Sequence, residues 1–158
     1  MLFVIEYLIQ NTEDVIMLRI AISCGEGFAS GYLSRYLATA TIKENLQDQV
    51  HFIFIPVHEL YERQDEADIA FLLPHVEPIF KSDKREYHIP VYIVPFKVVI
   101  KPKVADYLAD AEDIMAMADG KGGLYCFPGE SHTAMVSRLV CHRTWVAQQE
   151  DKKKKERK

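Results

Sequence analysis

The alternation of short apolar runs with amphipathic stretches predicts an α/β chain: a four-stranded parallel sheet with helices on both faces. Two observations carry that prediction. Three runs rich in branched and aromatic residues, Leu18 to Ser23 (LRIAIS), Val50 to Val57 (VHFIFIPV) and Asp68 to Leu73 (DIAFLL), and a fourth at Pro90 to Pro95 (PVYIVP), have the length and composition of strands. Their hydrophobicity is nearly unbroken rather than alternating, as expected of strands covered on both sides in a parallel sheet. The intervening segments complete a β-α-β-α-β-α-β-α order, which implies helices packed on the sheet.

Each connecting element has its own signal. Gly31 to Gln47 places Tyr32, Leu33, Tyr36, Leu37 and Ala40 close to the helical period. His58 to Gln64 is a short polar connector, and Val76 to Lys84, after Pro74, reads as a brief third helix. Lys103 to Ala118 carries Val104, Tyr107, Leu108, Ala111, Ile114 and Met115 on one stripe, with Pro102 suited to a helix start. The α/β domain is therefore expected over residues 17–118. Residues 1–16 read as an N-terminal extension, either a short helix packed on the sheet or a remnant of a longer parent chain. Residues 119–158 read as a C-terminal extension: a flexible Asp119-Gly120-Lys121-Gly122-Gly123 stretch, a mildly helical Ser131 to Gln149, and a basic disordered tail.

Composition narrows the class. A chain of 158 residues suits one domain, and 49% hydrophobic with 27% charged residues is the balance of a soluble protein with a real core. The net charge of -4 argues against nucleic acid as the partner of this domain. Charge is unevenly spread: residues 150–158 hold six basic and three acidic side chains, a sum of +3, which leaves -7 in the rest. A solvated tail explains that run, and attraction to an anionic membrane face is the sharper alternative. No segment approaches the roughly 20 apolar residues of a membrane span, so stable insertion is not expected. Met1 to Ile9 is broken by Glu6 and lacks a basic leader, so it does not read as a signal peptide. Three cysteines without framework spacing fit a reducing compartment, the cytoplasm.

The chemistry concentrates at Ile22-Ser23-Cys24-Gly25-Glu26-Gly27-Phe28-Ala29-Ser30-Gly31. A thiol stands where the first strand ends, and a small-residue loop then leads into a helix. Ligands collect at the carboxyl ends of parallel strands, and the amides and dipole of a helix start favour an anion there. The same field stabilises a thiolate, the nucleophilic form of Cys24. Gly25, Gly27 and Gly31 let the loop curl around a tetrahedral anion, and Ser30 adds a hydroxyl donor. The competing reading of Cys24 is an ordinary buried thiol at a strand end. No cofactor or metal is implied: Cys126, His132, Cys141 and His142 match no zinc spacing, and adjacent residues on a helix point apart. His51, His58 and His88 read as isolated surface or core histidines. His75, just past the third strand on the same edge as Cys24, is the candidate supporting residue.

From about Leu18 to Met117 the chain resembles the enzyme IIB component of the lactose/cellobiose class of the bacterial sugar phosphotransferase system. Cys24, Gly27 and Ser30 match that family's Cys-x-x-Gly-x-x-(Ser/Thr)-Ser-like loop. Asp68-Ile69-Ala70-Phe71-Leu72-Leu73-Pro74-His75-Val76 resembles its third strand and following Pro-Gln-(Val/Ile), and Ile89-Pro90-Val91 the start of its fourth. The resemblance implies a phosphotransferase in which Cys24 accepts phosphate from a phosphohistidine on a IIA protein and passes it to a sugar held by a membrane IIC permease. Gly25, Glu26, Gly27, Phe28, Ala29, Ser30 and Gly31 are the implied phosphate loop. This chain departs from the pattern with a carboxylate at Glu26, Gly31 in place of a second hydroxyl residue, His75 in place of Gln, and a basic, apolar Phe96 to Lys103. Low-molecular-weight phosphotyrosine phosphatases share the architecture, but their Cys-x5-Arg loop is not met: Ser30 stands at the Arg position. The alternative role is a divergent IIB-like sensor domain of a transcriptional regulator. The carrier role expects an ionised sulfur open over outward-facing amides; a sulfur sealed in apolar packing, or amides turned elsewhere, is the observation that overturns it.

Overall fold

In a computed structural model, residues 16–25, 28–130 and 138–157 are described. Residues 1–15, and with them nearly all of the expected N-terminal extension, lie outside the described set. Strand β1 (Leu18–Ser23) leads to helix α1 (Phe28–Lys43), then β2 (Val50–Phe54). A 3-10 turn (Val57–Glu59), α2 (Leu60–Arg63) and a second 3-10 turn (Gln64–Glu66) connect to β3 (Ile69–Leu72). The 3-10 turn Pro74–Val76 and α3 (Glu77–Ser82) precede β4 (Pro90–Ile93); α4 (Phe96–Ile100) and α5 (Val104–Ala118) precede β5 (Gly123–Tyr125). Helix α6 (His142–Glu156) follows.

The strands pair in parallel in the order β2-β1-β3-β4-β5, so the sheet has five strands rather than the expected four. The fifth begins at Gly123, the last residue of the stretch expected to be flexible. It is three residues long and begins with glycine, too short and too polar in its surroundings to register as a strand by pattern. Its docking depends on Gly122: a Cβ there would lie 1.9 Å from the Tyr87 carbonyl oxygen, so only glycine lets this backbone approach Tyr87 and His88. The Gly123 amide then donates to the Ile89 carbonyl at 3.1 Å.

Strands β3 and β4 are buried along their length and β1 over its last four residues, as unbroken apolar runs require. Strand β2 differs because it is an edge, with His51 exposed between buried Val50 and Phe52. The inward stripe of α1 is Leu33, Leu37 and Thr41, whereas Tyr32 and Tyr36, expected on that stripe, are exposed. Helix α5 buries Val104, Tyr107, Ala111 and Ile114, together with Asp110, which the apolar pattern passed over. Phe71 anchors the aromatic core, with ring centroids 5.5 Å from Tyr107 and 5.0 Å from Tyr92.

Asp110 is buried because it has partners. Arg138 Nη1 donates to Asp110 Oδ2 at 3.0 Å and Arg138 Nε to Glu130 Oε1 at 2.5 Å. The Tyr92 hydroxyl donates to Asp110 Oδ2 and accepts from Arg138 Nη2. Burial works against the Arg138 charge, but Tyr92, Asp110 and Glu130 more than offset it and hold the guanidinium proton more tightly than usual. Burial, then the Asp110 charge, push the Tyr92 hydroxyl well above its ordinary range. Phe127 packs on Tyr92 and stacks on His142 with centroids 4.1 Å apart, so residues past 118 are fastened to β4 and α5.

Helix α6 runs through Glu156, so Lys152, Lys153, Lys154 and Lys155, expected in a disordered tail, are helical. Glu150 and Lys154, and Asp151 and Lys155, stand at the favourable acid-before-base i,i+4 spacing, and Lys153–Lys155 sit in the last turn, where the helix dipole favours cations.

Candidate functional site

Strand β1 lies between β2 and β3, so the chain steps first to one side of β1 and then to the other. A crevice opens at the carboxyl ends of strands at such a point. Four strand ends are tied together there. The Ile55 amide donates to the Ile22 carbonyl at 3.2 Å, Val57 to Cys24 at 2.8 Å, Leu73 to Ser23 at 3.0 Å and Val94 to Leu72 at 3.0 Å. Cys24, the first residue after β1, is therefore held by its backbone between the β2 and β3 loops. Helix α1 begins four residues later, at Phe28.

The thiol is closed off. Cys24 is 2% exposed and belongs to the buried apolar cluster of the core, contrary to the open sulfur expected of a carrier. That cluster includes Val57, Leu73 and Val76 from the adjoining loops, all buried, and Val76 Cγ1 lies 3.9 Å from where a Gly25 side chain would begin. Ser23 is fully buried on the same edge, and its Oγ finds no hydrogen-bond partner among the described residues.

The expected phosphate loop divides into parts. Gly25 is described and partly exposed, and Glu26 and Gly27 lie outside the described residues. Phe28, Ala29, Ser30 and Gly31 are the first turn of α1 rather than loop. A Cβ on Gly31 would meet nothing within 4 Å, so close packing does not require glycine there; its carbonyl accepts from Ser34 Oγ at 3.2 Å.

His75 sits in the 3-10 turn after β3, exposed, two residues past the Leu73 amide that binds Ser23. His58, isolated by sequence pattern, follows Val57, whose amide binds the Cys24 carbonyl, so it occupies the matching place after β2. Its ring is 62% exposed, with Nε2 3.7 Å from Glu59 Oε1. The signal that marks it is position alone, two residues after the proline that ends the β2 run. Two exposed imidazoles thus flank the Cys24 edge.

Beside α1 runs a groove of about 580 Å³ lined by Tyr32, Leu33, Tyr36, Val99, Ile100 and Lys101 through Lys103. It is built in part from the basic and apolar segment after β4. Among the described residues no cluster of three or more His, Cys, Asp or Glu is arranged to hold a metal ion, and no helix is long and apolar enough to cross a membrane. Cys126 and Cys141 are thiols, and Cys141 Sγ lies 3.1 Å from Thr144 Oγ1. His132 lies outside the described residues.

The family model described as PTS system, Lactose/Cellobiose specific IIB subunit matches residues 19–119, well over half of the chain. No curated protein matches it.

Proposed function

The chain belongs to the lactose/cellobiose-specific IIB family of the phosphotransferase system, and from that premise we propose that Cys24 is its phosphoryl-carrying residue. Family membership implies a phosphotransferase with IIA and IIC partners. The observation that carries the assignment to this atom is the position of Cys24: it stands at the carboxyl end of the central strand, at the switch point of the sheet, four residues before a helix N-terminus.

The reaction is an in-line transfer. The Cys24 thiolate attacks the phosphorus of a IIA phosphohistidine, the S–P bond forms, and the P–N bond breaks, leaving its electron pair on the imidazole. In the second step a sugar hydroxyl held by the IIC permease attacks phosphorus and gives its proton to a base of the permease or to solvent; the O–P bond forms, the S–P bond breaks, and its electron pair restores the thiolate. Phosphoryl transfer of this kind asks for positioning and charge stabilisation more than for covalent help. Amides around Gly25 to Gly31 supply both, with Ser30 as a hydroxyl donor and His75 as support at the rim.

The burial of Cys24 favours a second reading, a regulatory IIB-like domain whose thiol is sequestered and feeds no sugar. Incubation with the general phosphotransferase relay and a matched IIA, followed by mass spectrometry of the peptide containing Cys24, separates the two. A phosphate adduct in the wild type and none in Cys24→Ser is the outcome expected of the carrier. No adduct with several IIA partners overturns it in favour of the sequestered domain.

A further inference from the structure

The end of α6 is a strongly charged surface that the phosphoryl-carrier reading does not use. Residues 150–157 are exposed all round, whereas the ties of α6 to the body come from its first turn and the residues just before it. Arg143 Nη2 is 2.6 Å from Asp113 Oδ1, the His142 amide donates to Asp110 Oδ1 at 2.9 Å, and the His142 ring lies on Phe127. The helix is thus mounted at one end on a buried ionic cluster and carries Lys152, Lys153, Lys154, Lys155 and Arg157 at the other.

We propose that this end is an electrostatic docking element for an anionic lipid surface. Successive residues on a helix are separated by about 100°, so four consecutive lysines encircle the axis instead of forming one face. That arrangement suits a diffuse plane of negative charge met by the end of the helix, where all four lysines lie near it and their number rather than one face is read. It does not suit a DNA groove, which is entered by a helix with one reading face. The residues are mainly lysine, a compact point charge, rather than the planar fork that grips individual phosphates in pairs. Charge distribution sets the orientation. Residues 150–158 sum to +3 and the remainder to -7, so the body is repelled by the surface that attracts the helix end. Residues 150–157 extend about 12 Å along the axis, longer than the screening length of about 8 Å at physiological salt. The lysines therefore reach the surface while most of the body's charge stays screened from it.

The test is co-sedimentation of the full chain with phosphatidylcholine vesicles, with and without added phosphatidylserine. Partitioning onto the anionic vesicles is expected to be at least about tenfold stronger, and to fall as salt is raised. Changing Lys152, Lys153, Lys154 and Lys155 together to Gln is expected to return it to the phosphatidylcholine level. These positions are exposed, and thermal unfolding of the variant checks that the fold is kept. Equal binding to both vesicle types, undiminished binding by the Gln variant, or tighter binding to duplex DNA than to anionic vesicles at the same salt overturns the proposal. No phosphate donor enters the assay, so its result is separate from that of the Cys24 reaction.

Discussion

Cys24 combines a position suited to anion chemistry with almost complete burial, and both follow from the same backbone. The Val57 amide on the Cys24 carbonyl and the Leu73 amide on the Ser23 carbonyl hold the β2 and β3 loops against this turn, whose buried Val57, Leu73 and Val76 share the apolar cluster with Cys24. Phosphotransfer from this residue requires the loops to part when the donor docks. At the opposite edge of the sheet, Asp68 shows how one side chain secures strand register. Arg19 donates to it from its amide at 2.8 Å and from Nη2 at 2.7 Å, while the Asp68 amide returns a bond to the Arg19 carbonyl. Burial raises the Asp68 carboxyl, but the hydrogen bonds and charge of Arg19 outweigh it and hold it below its ordinary 3.8. A depressed carboxyl contributes stability that is present above 3.8 and is lost as pH falls through the lower folded value. Acid titration of unfolding is expected to show that loss, and Asp68→Asn to remove that part of the slope. An unchanged slope in the variant means that Arg19 does not stabilise the ionised form.

At the scale of elements, β5 is the one whose existence rests on a single position. Gly122 passes so close to the Tyr87 carbonyl that any side chain must displace backbone. Gly122→Ala is expected to cost about 1–3 kcal/mol, the range for overpacking, and to loosen the Pro90–Gly123 to Tyr92–Tyr125 pairing. Denaturant midpoints together with hydrogen exchange at the Gly123 amide check both parts. Full protection at that amide with no change in midpoint would show that the approach is looser than the geometry implies.

For the whole molecule, the joint between the expected 17–118 domain and the residues after it is the Arg138 cluster. Asp110 and Tyr92 belong to the sheet-and-helix body, whereas Glu130 and Arg138 come from beyond β5, and all four meet in the interior. Removing one partner of a buried ion pair leaves the others uncompensated, at about 3–5 kcal/mol. Arg138→Met is therefore expected to destabilise the whole chain by that amount in denaturant unfolding, and Asp110→Asn combined with it to recover part of the loss. Additive losses in the double variant would show that the pair is not coupled.

The long apolar strands, the helices with a clear stripe, the parallel α/β class and the thiol at the end of β1 are all legible in the amino-acid sequence. These are local properties, written in the spacing of residues along one segment. The rest emerges in the folded chain, because it depends on which segments meet. Gly122 looks like a turn residue until the Tyr87 backbone lies against it; Asp110 looks like a solvated helix residue until Arg138 arrives from 28 positions away. His58 looks isolated until the Val57 amide is seen on Cys24, and the accessibility of the thiol is set by loops from two other strands. Burial and charge pairing are sums over neighbours distant in the chain, and no pattern within one segment records them.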